Sequence, residues 1–185
     1  DGVNGDQIGW AEAPLDALLT DLEAYGGPTL TRLLGTGSPA RDAIPLPACN
    51  LPADQRGVAR PFPENGACDI GAVEMDCAME VTAANANDSG AGSLRQAIAD
   101  VCPHGRVDFA GDSTVYLSST LSITKGLTID GGEHAVVVSG DRGHDGTPNV
   151  GVFSVVGSGV VTLSHMSIIS GTASNGGGIL NNGSL

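Results

Sequence analysis

The feature that most constrains the fold is a series of very short apolar segments that begins near residue 106. Gly, Asn, Ser and Asp separate each segment from the next. Strands this short bury little in a sandwich, but each can form one side of a coil that stacks on the next coil. The pattern therefore predicts an all-β, right-handed parallel β-helix. Its strands are predicted at Val107–Ala110, Val115–Leu117, Leu121–Ile123, Leu127–Ile129, Ala135–Val138, Val152–Val156, Val160–Leu163, Met166–Ile169 and Ile179–Leu180.

Composition and internal similarity support stacked coils. Aromatic residues make up only 3% of the chain, as expected for a narrow coil interior, and 28 glycines can supply the positive φ angles of corners. The segment Leu121–Gly132 resembles Val161–Gly171, about 40 residues later. This repeat is longer than the ~20–30 residues of a plain solenoid coil. We attribute the excess to a polar insertion at Gly140–Asn149.

The sequence changes character near residue 76. Residues 1–76 hold eight of the ten prolines and few alternating apolar runs, which predicts mostly irregular structure. Within them, Ala13–Leu22 is amphipathic and fits either a short helix or an edge strand.

A short helix is predicted just before the coils. Ser93 and Gln96 have the spacing of a capping box, in which the serine hydroxyl accepts from the first helical turn and the glutamine reaches back. Leu94, Ala97, Ile98 and Val101 follow on one face, and Pro103 limits the length to two or three turns. This apolar face is predicted to cover other residues as a cap.

Four cysteines, Cys49, Cys68, Cys77 and Cys102, allow three pairings. They show no Cys-x-x-Cys and no histidine at zinc-finger spacing, which argues against a structural metal site. The favoured disulfides are Cys49–Cys68 and Cys77–Cys102, each worth on the order of 3 kcal/mol. Disulfides indicate an extracellular or cell-surface protein; the alternative is four reduced thiols in a cytosolic protein.

Charge excludes one class of partner. The net charge is −13, and Lys125 is the single lysine, so there is no basic patch to bind nucleic acid. No apolar run approaches the ~20 residues that cross a bilayer, so no membrane span is predicted in this segment.

Recognisable catalytic motifs are absent: there is no phosphate-binding loop, no His-Glu-x-x-His and no Gly-x-Ser-x-Gly. We therefore predict no enzyme activity and no cofactor. The carbohydrate or Ca²⁺ candidates are Asp130, Glu133, Asp141 and Asp145, because such sites need paired carboxylates or clustered oxygen ligands. At Asp130 the competing interpretation is a carboxylate that accepts from turn amides, and residues 140–149 lack EF-hand spacing and fit a solvated loop.

The histidines are too widely separated in the sequence to predict a metal site. Within a strand pattern, His165 is predicted to lie at a corner or to point outward. The four histidines are His104, His134, His144 and His165.

The order of motifs resembles a known family. The stretches Val81–Asn85, Asp88–Ile98, Leu121–Ile123, Leu127–Gly132 and Gly176–Leu185 resemble the opening of bacterial surface proteins of the choice-of-anchor Q, polymorphic-outer-membrane-protein-like β-helix type. The resemblance covers about residues 78–185. It implies that the helix starting with Ser-Leu-Arg-Gln caps the first coil.

The first part of the chain resembles the opposite end of the same family. The resembling stretches are Tyr25–Leu34, Gly37–Ala43, Asp54–Pro61 and Cys68–Glu74, and the family usually has an apolar residue where Arg41 stands. An ending that precedes a beginning implies the junction between two tandem β-helix domains, or a unit cut from a larger array.

Three segments follow from this resemblance. Residues 1–76 are expected to form a closing coil and C-terminal cap, residues 77–105 a disulfide-pinned cap with a short helix, and residues 106–185 the opening coils. Open sheet edges on such halves favour self-association. The expected function is a non-catalytic structural or adhesive extracellular module, in a tandem array or a head-to-tail filament. The alternative is a glycan-binding or polysaccharide-cleaving β-helix, with glycans or cell-surface components as partners.

Overall fold

The structure is a computed structural model that describes residues 12–157 and 159–185. The chain divides into two compact units, the first ending at Asp76 and the second running from Cys77 to Leu185. This division falls where the composition changes. Residues 77–105 do not form a separate unit, since their helix packs on the first two strands of the second unit.

The second unit contains ten strands and one helix. Strand β1 (Ala78–Ala83) comes first, followed by helix α1 (Leu94–Asp100). The remaining strands are β2 (Val101–Phe109), β3 (Ser113–Tyr116), β4 (Leu121–Ile123), β5 (Leu127–Asp130), β6 (Val136–Ser139), β7 (Phe153–Val155), β8 (Val161–Ser164), β9 (Met166–Ile169) and β10 (Ile179–Asn181).

These strands form three parallel sheets. Their orders are β1-β2-β5-β8, β3-β6-β9 and β4-β7-β10. From β2 onward, each successive group of three strands supplies one strand to every sheet. The chain therefore winds through about four turns of a right-handed parallel β-helix. The predicted fold class is confirmed.

The core fills the interior of the coils. Along β5, Leu127 and Ile129 are buried at 2% and 0% exposure, while Thr128 and Asp130 point outward. This alternation follows from the two-residue period of a strand. The same period explains why Val, Ile and Leu occupy every second position of most predicted strands.

Strand register corrects the predicted internal repeat. Leu121 pairs with Phe153, whereas Val161 pairs with Leu127, so the two similar segments are offset by one side of the coil. The three sides carry the same apolar alternation, and similarity alone did not distinguish them. The insertion at residues 140–149 does lengthen its coil, because it lies between β6 and β7.

The first unit is irregular, as predicted. Within residues 12–76, paired segments are limited to isolated antiparallel bridges, and the one helical element described there is a short 3-10 turn at Leu46–Ala48. The amphipathic segment Ala13–Leu22 forms no helix; Leu19 within it bridges to Leu34. The identity of this unit as a closing coil stays a prediction.

Both predicted disulfides are present. Cys49 pairs with Cys68 inside the first unit, with Cα atoms 5.9 Å apart. Cys77 pairs with Cys102 inside the second, with Cα atoms 5.1 Å apart, and so ties the start of β1 to β2. Each disulfide therefore constrains one unit. Among the described residues, no helix has the length and apolarity needed to cross a membrane.

Candidate functional site

One side of the solenoid is covered by helix α1. Leu94, Ala97 and Ile98 are buried in the same apolar cluster as the coil interior. The Ser93 hydroxyl accepts from the Gln96 amide at 3.1 Å, so the predicted N-cap is confirmed. The helix thus covers apolar side chains of the solenoid, as its amphipathic pattern indicated.

The second half of the predicted capping box was wrong. The Gln96 side chain donates to the Asp100 carboxylate at 2.7 Å instead of reaching back. The backbone amide of Ser93 donates to the Gly90 carbonyl at 3.2 Å. A charged acceptor one turn further along the helix makes a stronger bond than a backbone amide at the cap.

Two cationic side chains fasten α1 to the coil that follows it. The Arg95 guanidinium donates to the Ser119 carbonyl at 2.7 Å and to the Asp88 carboxylate at 2.6 Å. Lys125 donates to the Ala99 carbonyl at 2.9 Å, and its partial burial lowers the pKa of its ammonium group. These donors satisfy carbonyl groups at the helix end and near β4, so they hold α1 against the start of this coil.

The opposite end of the coil stack is open. Strands β8, β9 and β10 are the last members of the three sheets. Their inward apolar side chains are only half-buried, although the residues they stack on are exposed by 3% or less. The stacked pairs are Ile129 with Leu163, Val136 with Met166, Val138 with Ile168, and Phe153 with Ile179.

We call this surface the open coil and define it by Leu163, Met166, Ile168, Ile179 and Leu185. These side chains line a depression of about 300 Å³. The same ladder positions are fully buried one coil earlier, where a further described coil covers them. The open coil is therefore an apolar surface suited to contact with another strand layer.

The ladder of the first sheet already extends one step beyond β8. Ser184 forms a parallel bridge with Val160, and the Val161 amide donates to the Ser184 carbonyl at 2.9 Å. Val160 and Leu185 are 62% and 53% exposed. The backbone geometry at this end is thus the geometry on which a further parallel strand can add.

A charged cluster lies on the outer face of the sheet β1-β2-β5-β8. Asp130 contacts Arg106 at 2.7 Å and the His165 ring at 2.7 Å, and Arg106 also contacts Asp108 at 2.6 Å. The Gly132 amide donates to Asp130 at 3.0 Å, which confirms the predicted bond to a turn amide. This amide, followed by His165, holds the pKa of Asp130 well below its ordinary value.

The chemistry of this cluster suits a clamp more than an acid catalyst. A general acid in glycoside hydrolysis needs a raised pKa, whereas the pKa of Asp130 is lowered. Asp130 and His165 occupy successive coil corners, and His165 is 67% exposed with φ at 50°. His165 thus lies at an outward corner, as predicted. A side chain on Gly131 would collide with the His165 carbonyl, so the close stacking of these corners requires glycine.

The other acidic candidates do not join Asp130. Glu133 is exposed, while Asp141 is buried and accepts the Gly146 amide at 2.8 Å. Asp145 accepts the Thr147 amide at 2.8 Å, and this bond lowers its pKa. In the part of the chain that the structure describes, no group of three or more His, Cys, Asp or Glu side chains could hold a metal ion.

The loop that contains Asp141 and Asp145 is held against the solenoid. His144 stacks on Tyr116 of β3, with ring centroids 3.6 Å apart. The Asn149 side chain accepts from the Gly143 amide at 3.2 Å. The predicted solvated loop is therefore exposed but internally bonded.

Sequence reasoning missed a buried charge network in the first unit. Asp54 contacts Arg56 at 2.9 Å and accepts the Glu74 amide at 2.8 Å. The Glu74 carboxylate contacts Arg60 at 3.2 Å and accepts the Asp69 amide at 3.0 Å. These side chains are almost fully buried, and hydrogen bonds from backbone amides help to lower the pKa of Asp54. Charges this deeply buried must be paired, so the network determines how the irregular segments pack.

A second apolar surface in the first unit was also missed. Leu19, Leu22, Leu30 and Ile70 line a groove of about 380 Å³, which we call the leucine groove. Their exposures are 49%, 52%, 55% and 37%. The amphipathic pattern of residues 13–22 was the available signal, but its partner strand around residues 30–34 is not evident from the sequence.

The fold and its two apolar surfaces define the class: a right-handed parallel β-helix with an open last coil, preceded by an irregular, disulfide-bonded unit. No family model, no curated protein and no solved structure matches the chain.

Proposed function

We propose that this protein is a non-catalytic structural or adhesive extracellular module whose open coil is extended by a further β-helical coil. The further coil belongs to a tandem array or to a head-to-tail filament. The observation that carries the proposal is the change in burial along each ladder: Val138 is fully buried beneath Ile168, but Ile168 itself has no layer above it.

Physical considerations favour a covering layer. Completing the burial of a half-exposed aliphatic side chain is worth on the order of 1 kcal/mol. The open coil contributes several such side chains, and in addition the outer edges of β9 and β10 and most of β8 pair with no further described strand. Free sheet edges pair readily with other strands unless a protein blocks them. At the start of the solenoid, α1 covers apolar side chains of the coil interior, and Arg95 and Lys125 hold it there.

Three observations support an extracellular setting for the module. Two disulfides are typical of oxidising compartments, and a net charge of −13 keeps a secreted rod dispersed. The third is the resemblance of residues 78–185 to bacterial surface β-helix proteins, which favours the same location. In this proposal the outward turns provide the adhesive contact surface.

The second candidate function is glycan binding, and one observation favours it. Arg106, Asp108, Asp130 and His165 form a row of charged donors and acceptors on the outer face of one sheet. Such rows can bind polar ligands. Incubation with a panel of acidic and neutral polysaccharides tests this alternative: released product would contradict the non-catalytic proposal, and binding that Asp130→Asn abolishes would favour a glycan site.

Self-association of the 185-residue chain tests the filament form of the main proposal. We expect sedimentation velocity to show oligomers that grow with protein concentration and, since the net charge of −13 opposes contact, with added salt. Ile168→Glu, which places a charge in the open coil, should weaken association at least tenfold. Ser167→Glu is the matched control, because Ser167 is an exposed neighbour on the same strand.

Two results would contradict the filament form of the proposal, in which another copy supplies the further coil. One is a compact monomer at every concentration and salt level tested. The other is equal association of the wild type and Ile168→Glu. Leu185→Glu provides a second variant with little risk to folding, since Leu185 is 53% exposed, and circular dichroism verifies that each variant keeps its β-structure.

A further inference from the structure

We propose that the leucine groove of the first unit is a binding site for a small amphiphile, an aliphatic chain that ends in a carboxylate. The site lies wholly within the first unit. It goes beyond the structural or adhesive function and does not depend on it. Three features of the groove carry the proposal: its aliphatic lining, its volume, and a buried hydroxyl group without a partner.

The lining of the groove is mostly aliphatic. The four side chains that define the groove are each 37% to 55% exposed, while Leu34 and Val73, which also line it, are buried. Isolated exposed leucines such as Leu46 and Leu51 are ordinary on a protein surface, but several that converge on one concavity mark a contact site. An apolar lining with a few polar groups is typical of small-molecule sites.

The volume of the groove favours a small molecule over a protein segment. At about 380 Å³ it falls within the range of roughly 300–1,000 Å³ that is usual for ligand pockets. One turn of an α-helix, about 10 Å wide and about 5.4 Å long, would already fill it. Because a water-sized group occupies about 30 Å³, the groove can hold an aliphatic chain of roughly eight to ten carbons with its head group.

Thr31 supplies the observation that points to a ligand. It lines the groove and is 3% exposed, and among the described residues its hydroxyl oxygen has no hydrogen-bond partner. Its backbone amide and carbonyl both pair with Glu23, at 2.9 Å and 3.0 Å, so the position of the residue is fixed. Buried hydroxyl groups are nearly always paired. The exception at Thr31 fits a site in which the ligand provides the partner.

The polar groups of the lining favour a carboxylate as the head group. Among the described residues that line the groove, Arg32 is the one ionisable side chain, and none is acidic. One guanidinium nitrogen of Arg32 donates to the Thr20 carbonyl at 2.7 Å, and its other nitrogens have no partner among the described residues. A guanidinium group has five N–H donors and a hydroxyl group has one. A carboxylate accepts such bonds more strongly than a neutral group does.

Titration of the full chain with sodium octanoate, below its micelle concentration, tests the proposal by calorimetry. We expect saturable binding of one octanoate per chain. Thr31→Val keeps the shape of the side chain but removes the hydroxyl, and should lower the affinity about threefold to tenfold, the range for one net hydrogen bond. Thr31→Ser retains the hydroxyl and should bind within about twofold of the wild type.

The head group is tested with 1-octanol, which has the same aliphatic chain without the charge. Octanol should bind the wild type more weakly than octanoate does. Arg32→Gln should weaken binding of octanoate and leave binding of octanol unchanged, because octanol makes no ionic contact with the guanidinium group. Equal affinity of the wild type for both compounds would overturn the assignment of a carboxylate.

Two further measurements locate the site. Leu22→Glu with Leu30→Glu places charges in the groove and should lower the affinity for octanoate at least tenfold. The matched control is Leu46→Glu with Leu51→Glu, at exposed leucines of the same unit outside the groove, and it should bind like the wild type. In methyl NMR spectra of the wild type, octanoate should shift the resonances of Leu22, Leu30 and Ile70, which requires no variant to fold.

Three results would overturn the site. The first is the absence of saturable shifts at the methyl groups of the groove. The second is equal affinity of the wild type and the Leu22→Glu, Leu30→Glu chain for octanoate. The third is binding that disappears as the protein concentration rises, which would show that a second copy of the chain occupies the groove.

Discussion

Leu163 stacks directly on Ile129 in the parallel ladder between β5 and β8, yet only Ile129 is completely removed from solvent. The two residues are aliphatic, similar in size and equally inward-facing. Their different burial arises because, among the described residues, a further coil lies over Ile129 and none lies over Leu163. Stacking of one coil on the next thus buries the apolar interior of the solenoid. The half-buried Leu163 marks the surface on which a further coil could stack.

The ladder predicts that truncating Ile129 and truncating Leu163 lower the free energy of unfolding by different amounts. At high dilution, Ile129→Ala should lower the free energy of unfolding by about 2–5 kcal/mol, whereas Leu163→Ala should cost roughly half as much, because Leu163 is half-buried. Urea denaturation measures both. At concentrations where the protein assembles, the cost of Leu163→Ala should rise toward that of Ile129→Ala. Equal costs at high dilution would mean that the open coil is already covered in the monomer.

The start of α1 predicts different effects for substitution of Ser93 and of Gln96, the two residues of the predicted capping box. Ser93→Ala should lower stability by about 1 kcal/mol, since it removes the acceptor for the Gln96 amide. Gln96→Ala should change stability by less than about 0.5 kcal/mol, because that side chain contacts the exposed Asp100 and not the cap. Thermal denaturation of the two variants compares them. Similar losses for both would restore the complete capping box.

The buried charge network should be sensitive to loss of one charge. Glu74→Gln leaves Arg60 buried without its carboxylate partner and should cost about 3–5 kcal/mol in the first unit. Asp42→Asn is the control, because the Arg41–Asp42 pair is largely exposed and should contribute less than about 1 kcal/mol. Hydrogen exchange by mass spectrometry assigns each loss to a unit. A Glu74→Gln chain as stable as the control would show that the network adds nothing to the fold.

The contact between Asp130 and His165, which joins two successive coil corners, predicts a specific pH dependence of stability. The Gly132 amide and His165 hold the pKa of Asp130 below the ordinary value near 3.9, so its stabilising contribution is fully present above about pH 4 and declines as pH falls through the lower folded-state pKa. Asp130→Asn should therefore lower the melting temperature at pH 5–7, and the difference from wild type should shrink below about pH 4. Glu133→Gln, at an exposed neighbouring position, should leave the melting temperature unchanged. A difference in melting temperature that stays constant from pH 3 to pH 7 would show that the Asp130 carboxylate does not stabilise these corners.

Local pattern was enough to predict most secondary structure. The segment around Leu121 alternates apolar and polar residues and forms β4, and Ser93 begins the helix as its hydroxyl indicated. The Cys77–Cys102 pairing, favoured among the three that four cysteines allow, is confirmed. Strand alternation and the helix start depend on residues that are close in sequence. The disulfides involve four cysteines and therefore only three possible pairings.

The contacts within the candidate sites could not be predicted from the sequence. Asp130 was identified, but its partners Arg106 and His165 lie 24 and 35 positions away and meet it only because successive coils stack. The network around Glu74 was missed because charged residues in a Pro-rich segment ordinarily remain exposed. Burial of these charges depends on packing between distant turns.

The amino-acid sequence by itself determined the short strands, the helix start and the boundary near residue 76, because alternation, capping and composition are local properties. Only the tertiary structure decided which strands stack. Leu121 lies against Phe153, and Val161 lies against Leu127, because the connections between strands differ in length and the three sides of a coil look alike in sequence. That register in turn decided which apolar residues are covered and which form the open coil.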